Sequence, residues 1–196
     1  MQFNNNILSS CKNQITVFNM FRKLWAQHVF WTRSFIVSTT SALEDLTPVT
    51  ERLLKSPTDF AVTLRTFYGA QKARTFEDLF KEHILIAASL INNTKQGNSD
   101  DVYEDRRKWY KNAEDICIFL REVNPYWSAR QFRSLFYEHL KMIEEAALYR
   151  LNGRYVLDVK LFETIETQAF ELADFMAYGI LNQFFLSSAG NARQQY

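Results

Sequence analysis

Turn formers, crosslinks and histidine are all scarce in this chain. Its 196 residues include five Gly, three Pro, two Cys and three His. So few Gly and Pro cannot punctuate a sandwich or barrel of many short strands, and they favour long helices. Cys11 and Cys117 lie far apart and in no CxxC or zinc-like spacing, which excludes a disulfide framework and leaves reduced, structural thiols. Charge of one sign is missing too. The formal net charge is +1, so no global field draws the protein to nucleic acid or to anionic lipid. The longest strictly apolar stretches, such as Ile84 to Ala88, fall far short of the roughly 20 residues that a membrane span requires. The opening Met1-Gln2-Phe3-Asn4-Asn5-Asn6 has neither the basic region nor the continuous apolar region of a secretory signal. A cytoplasmic location is therefore expected. Glycine-rich phosphate loops, a Ser/His/Asp order and HExxH are absent as well.

What remains is apolar and aromatic. A hydrophobic content of 47% with 15% aromatic residues supplies one well-covered core, so residues 1–196 read as a single domain. Within it, one short pattern occurs three times. Leu24-Trp25-Ala26-Gln27-His28-Val29 matches Leu79-Phe80-Lys81-Glu82-His83-Ile84, which matches Leu135-Phe136-Tyr137-Glu138-His139-Leu140. The three histidines are thus 55 and 56 residues apart. The same frame aligns Asp59, Asp115 and Glu171, pairs Gly97 with Gly153, and pairs Phe119 with Phe175. A period of this length accommodates two helices and their turns, and it implies three tandem helical hairpins.

Apolar spacing places the helices. Val17 to about Ala42 carries Phe18, Phe21, Leu24, Trp25, His28, Trp31, Phe35 and Ile36 at helical intervals. A second segment starts at Leu46-Thr47-Pro48, breaks at Ser56-Pro57, resumes with Ser56 or Thr58 as cap, and ends at Tyr68-Gly69. Thr75 to Asn92 is a third helix, stopped by Gly97, and Asn98-Ser99-Asp100 caps a fourth that runs to Asn124-Pro125. Ser128 opens a fifth, which ends at Asn152-Gly153. Asp158 caps a sixth that runs to about Leu186. Residues 1–14 and 187–196 carry no apolar period and read as flexible ends. The expected fold is an all-α, up-and-down bundle of about six helices, with two of the hairpins forming a four-helix core.

All three histidines fall inside the apolar stripes. His83 is flanked by Leu79, Phe80, Ile86 and Ala87, His139 by Leu135, Phe136, Met142 and Ile143, and His28 by Leu24, Trp25, Trp31 and Thr32. Counting from the Gly97 turn, His83 and Asp115 both stand roughly 20 Å from the loop at 1.5 Å per residue. The same arithmetic sets His28 level with Asp59 and His139 level with Glu171. Two readings follow. Each buried imidazole is braced by a carboxylate inherited through duplication, or imidazoles and carboxylates converge on iron, manganese or zinc in the bundle core. Glu82 and Glu138, beside their histidines and about 100° away around the helix, can brace either arrangement. The Glu-x-x-His element of ferritin-like di-metal proteins is missing, because position −3 is Trp25, Phe80 and Phe136. Catalysis by histidine and acid without metal lacks a nucleophile. Among weaker features, Trp31-Thr32-Arg33 and Trp109-Tyr110-Lys111-Asn112 can line a pocket, although aromatic residues at this spacing more often fill a core. Arg106-Arg107-Lys108 follows Glu104 and reads as an ion-paired helix face. Asn124-Pro125-Tyr126-Trp127 reads as a packed hairpin junction.

The stretch Leu24-Trp25-x-x-His28-Val29-x-Trp31-Thr32-Arg33, with Trp109-Tyr110-Lys111-Asn112-Ala113 and Leu135-Phe136-Tyr137-Glu138-His139-Leu140, resembles a small all-helical bacterial family of unknown function. The similarity covers most of residues 20 to 185, and members often carry the label acetylglutamate kinase. That label implies an α/β protein with glycine-rich nucleotide loops, and this chain has neither the glycines nor the strand–loop–helix pattern. The repeated Glu-His helices are also similar to another bacterial helical-hairpin family in which a bound metal is expected. This second resemblance implies a core ligand set of His83, His139, Asp115 and Glu171, with Glu82 and Glu138 beside it. The first hairpin departs from the pattern through Gln27, which stands where the others have Glu. Beyond a metal, the sequence leaves room for a protein partner, another copy of the chain included.

Overall fold

Each histidine-bearing stripe becomes the buried face of one long helix. The computed structural model describes residues 2–186, with side chains from 14 to 185 and that of Lys12. The elements are α1 (Gln2–Ser41), α2 (Leu46–Leu53), α3 (Ser56–Gln96), α4 (Ser99–Val123), α5 (Ala129–Leu151) and α6 (Tyr155–Leu181), followed by a π-helical turn, Asn182–Leu186. The bundle is all-α, with no strand among the described residues. Helix α1 extends back to Gln2, through the residues read as a lead-in, whereas the tail 187–196 lies outside the described residues. Helix α3 is two helices joined at Gly69, whose φ of 80° and ψ of 174° are non-helical. Its first half belongs to the first hairpin: Phe60 meets Trp25 of α1 at 5.5 Å between ring centroids. Its second half opens the second hairpin against α4.

The expected all-α bundle is present, but the second and third hairpins do not close a four-helix core by themselves, because α1 lies between α6 and α3. Helix α3 lies along α4, α5 along α6, and α4 beside α5. Helix α1 closes the arrangement by packing along α6 while touching α3 and α5. The histidine-bearing faces of α1, the second half of α3 and α5 therefore meet in the interior of the bundle. Trp25, Phe21, Phe60, Phe136, Leu140 and Leu172 are among its fully buried side chains.

The repeat is visible in backbone detail. Ala42, Gly97 and Gly153 occupy equivalent places after α1, α3 and α5, with φ of 52°, 76° and 69°. Each turn is closed by the same six-to-one hydrogen bond. Leu43 N donates to Ser38 O at 2.9 Å, Asn98 N to Asn93 O at 3.1 Å, and Arg154 N to Tyr149 O at 2.8 Å. Ser128 caps α5 as expected, its side chain accepting from Gln131 N at 3.3 Å. Two other caps differ from expectation. Lys55 precedes α3, so neither Ser56 nor Thr58 caps it. Asp158 sits a full turn inside α6, which begins after Arg154. The Asp158 carboxylate is wholly buried and takes both guanidinium nitrogens of Arg33 at 2.7 Å and Arg150 at 3.3 Å. A desolvated carboxylate needs such partners, and here they tie α6 to α1 and α5.

The Asn124–Trp127 segment is a packed junction. Trp127 is 1% exposed and donates Nε1–H to Met176 O at 3.1 Å. A β-carbon at Gly179 would stand 2.0 Å from that nitrogen, so glycine makes the room. The basic run of α4 is ion-paired, Arg107 and Lys108 to Glu104 and Arg106 to Glu144 of α5. Among the described residues no helix is long and apolar enough to cross a membrane.

Candidate functional site

The three hairpins bring their histidines to one place. His28, His83 and His139 are 5%, 4% and 2% exposed, and all three line a single cavity of about 30 Å³ together with Thr32, Ile84, Ala87, Trp109 and Ile143. The rings of His28 and His139 are 6.3 Å apart between centroids. Packing around them is cyclic. His28 of the first hairpin lies 4.9 Å from Phe80 of the second, His83 of the second 4.9 Å from Phe136 of the third, and His139 of the third 6.0 Å from Trp25 of the first. Every histidine thus rests on the −3 aromatic of another hairpin, and the three copies close a ring.

Amides rather than carboxylates hold the rings. His83 Nδ1 is 2.9 Å from Asn112 Oδ1, while Asn112 Nδ2 donates to Leu79 O at 3.1 Å and to Glu82 Oε2 at 3.2 Å. His139 Nδ1 is 3.0 Å from Gln168 Oε1, while Gln168 Nε2 donates to Leu135 O. The two imidazole–amide–carbonyl chains correspond, 56 residues apart, except that only Asn112 also reaches a glutamate. They also settle the tautomers. Each amide NH2 faces a carbonyl, so its oxygen faces the imidazole and must accept from Nδ1–H. A neutral ring then carries its lone pair on Nε2. Burial pushes the His83 imidazole down to about 3 and that of His139 down to about 4, opposed by the hydrogen bonds the rings donate to Asn112 and Gln168. Burial also drives His28 well below its ordinary value, helped by the neighbouring His139 and His83. All three rings are neutral near pH 7.

The first hairpin lacks the amide. The position corresponding to Asn112 and Gln168 is Ser56, whose buried hydroxyl has no hydrogen-bond partner, and His28 Nδ1 has none either. Two residues that border the cavity, Thr32 and Trp109, also carry a buried polar atom without a partner, Oγ1 and Nε1. Of the two stretches read as pocket or core, only Thr32 and Trp109 border the cavity, and Trp109 is at the same time part of the buried core.

The acids expected beside the histidines lie elsewhere. Asp59 is 41% exposed at its side chain and pairs with Arg52 of α2 at 3.3 Å. Asp115 is equally exposed and pairs with Lys111 one turn away. Glu171 is exposed on α6, as are Glu82 on α3 and Glu138 on α5. Asp115 and Glu171 each stand three residues beyond the amide that meets the ring, Asn112 or Gln168. A three-residue step falls about 60° short of a full turn, which carries the carboxylate off the inner face. Glu82 does reach the site indirectly, through Asn112. Among the described residues, no three His, Cys, Asp or Glu side chains stand close enough together, as placed, to hold a metal ion. Cys117 is buried and free, and burial raises its thiol to about 12, which keeps it protonated and unreactive. The side chain of Cys11 lies outside the described residues.

Asn112 and Gln168 were missed as site residues, although a signal existed. Asn112 interrupts the apolar stripe Trp109-Ala113-Ile116, and Gln168 interrupts Ile165-Ala169-Leu172. A polar amide inside such a stripe needs a buried partner. Compared with family models, curated proteins and solved structures, the chain matches none.

Proposed function

We propose that this is a cytoplasmic helical-bundle protein that binds one transition-metal ion in its core, through His28, His83 and His139. One observation carries the reading: two of three convergent imidazoles are locked with Nδ1–H tied to an amide and the Nε2 lone pair left over, at a shared cavity. Orientation of a histidine through its second nitrogen is what metal sites use to fix the tautomer and strengthen the ligand. A purely structural core gains little from three desolvated imidazoles, since apolar side chains would fill the same volume without an acceptor to satisfy. A donor set of three neutral nitrogens suits zinc or iron(II), and manganese, which prefers carboxylate oxygen, suits it least. The carboxylates Asp59, Asp115, Glu171, Glu82 and Glu138 do not belong to this set. The family resemblance agrees in its expectation of a metal and differs in the ligands. A bound ion would supply Lewis acidity in a dry site.

A second reading has its own support. Among the described residues no group of three His, Cys, Asp or Glu could hold a metal ion as placed, and each imidazole packs closely against an aromatic ring, so the three could serve as polar braces in a metal-free interaction module, with another copy of the chain as one partner. Elemental analysis of protein purified without a metal-affinity tag separates the readings. About one equivalent of metal, lost in His83→Ala and in His139→Ala and lowering the Tm when chelated, is expected. Less than about a tenth of an equivalent, with Tm indifferent to chelation, leaves only the interaction module.

A further inference from the structure

Phe30 stands two residues after His28, about 200° around α1, and is 57% exposed. Beside it opens a surface groove of about 380 Å³, lined by Phe30, Ser34 and Val37 of α1, Phe162 of α6, and Leu43 and Asp45 of the α1–α2 turn. Helices α1 and α6 run antiparallel here, Arg22 meeting Asp174 and Arg33 meeting Asp158, which sets Phe30 level with Phe162. Helix α6 continues the exposed surface past Phe162. Val159, Glu163, Glu166 and Phe170 recur at i, i+4, i+7 and i+11, all exposed, and so share one face. That stripe is about 16 Å long, or three helical turns. Single exposed apolar residues are ordinary, whereas a contiguous patch marks a surface for binding.

Charge around the groove has one sign. Glu44 and Asp45 on the turn, with Glu163 and Glu166 on α6, are exposed and enter no ion pair among the described residues. Arg33 also lines the groove but is already paired with Asp158. Lys160 stands two residues before Phe162, on the opposite side of α6. An apolar strip of three turns, bordered by uncompensated carboxylates, is complementary to an amphipathic helix with basic flanks. We infer that this groove is a docking surface for a basic amphipathic helix of a partner protein. Its carboxylates repel anionic lipid headgroups. A second copy of the chain is a poorer match, because the basic run Arg106 to Lys108 is ion-paired within its own bundle. The groove opens on the side of α1 away from His28, so the inference stands apart from the metal reading.

The probe is a fluorescent synthetic peptide of about 14 residues, long enough for the three-turn stripe. It carries Leu at i, i+3, i+4 and i+7 and Lys on both flanks. Anisotropy with the full-length protein should show saturable one-to-one binding that weakens as salt rises. Phe30→Ala should weaken it about tenfold, the loss of a central apolar anchor. The double variant Glu163→Gln with Glu166→Gln should weaken it about tenfold at low salt and flatten the salt dependence. These side chains are exposed, so melting curves should match the parent. Asp100→Asn with Asp101→Asn, exposed acids on α4, should leave binding unchanged. A scrambled peptide of the same composition should bind at least about tenfold more weakly than the amphipathic one. No saturable binding, equal binding of the scrambled peptide, or equal losses in the Asp100 and Glu163 double variants overturns the inference. A dimer in sedimentation that Phe30→Ala dissociates gives the groove to a second copy instead. Binding to phosphatidylglycerol vesicles that Phe30→Ala abolishes gives it to lipid, and either result overturns the inference as well.

Discussion

Asn112 and Gln168 each perform two tasks at once. The amide oxygen takes the imidazole N–H, and the amide NH2 ties back to the carbonyl of Leu79 or Leu135, four residues before the histidine. Ring, amide and helix backbone are thereby fixed as a unit. Asn112→Leu removes the acceptor and leaves a buried N–H behind. Its expected cost is about 1–3 kcal/mol of stability, measured by urea unfolding. Metal affinity should fall by about 10–100-fold with it, as for other residues that orient a ligand. A variant as stable as the parent would show that the His83 pair carries no such role. The acids were legible in the sequence because Asp59, Asp115 and Glu171 repeat as one chemical type. The two residues that meet the rings, Asn112 and Gln168, and Ser56 at the equivalent place in the first hairpin are three different types, and they conceal the same periodicity.

At the scale of helices and turns, the three equivalent turns are unequal in one respect. Gly97 and Gly153 adopt the left-handed conformation freely, whereas Ala42 adopts it, at φ 52°, with a β-carbon. That conformation costs an L-residue roughly 1–2 kcal/mol. Ala42→Gly should therefore stabilise the protein by about 1 kcal/mol at the expense of some unfolded-state entropy. Unchanged or lower stability by calorimetry would mean that the strain is absent or that the entropy term dominates. Helix content, the break at Gly69 and the turns at Gly97 and Gly153 could all be read from apolar spacing and glycine placement, because these are local properties of the chain. The starts of α3 and α6 could not. Pro57 in the first turn and the wholly buried Asp158 shift those boundaries, and the partners of Asp158, Arg33 and Arg150, come from other helices. No local pattern encodes a pairing between distant elements.

Over the whole molecule, three hairpins close so that each histidine packs on another copy's aromatic ring. The resulting core is neutral and intolerant of acid. His83 is lowered to about 3 and His139 to about 4, from an ordinary 6.5, and His28 is lowered as well. The unfolded chain binds protons at these rings before the folded one does. Stability from this source is complete above about pH 6.5 and is lost as pH falls toward the folded values. For the metal-free protein, His83 and His139 should each contribute about 2 kcal/mol of loss between about pH 7 and pH 5, with His28 adding in the same direction. Urea unfolding of the parent and of His83→Asn over that interval checks this, because the variant should lose less by about that amount. Parallel curves would show that His83 does not titrate on unfolding.

The convergence of three neutral imidazoles, two with Nε2 as the free acceptor, is the claim on which the metal proposal depends. Nitrogen-15 NMR of the imidazole rings in metal-free protein tests it most directly. The account predicts that near pH 7 all three rings are neutral and that His83 and His139 are Nδ1–H tautomers. Their Nε2 resonances, with that of His28, should move together when one equivalent of zinc is added. Protonated rings, Nε2–H tautomers at His83 and His139, or zinc shifts confined to a single ring would contradict it.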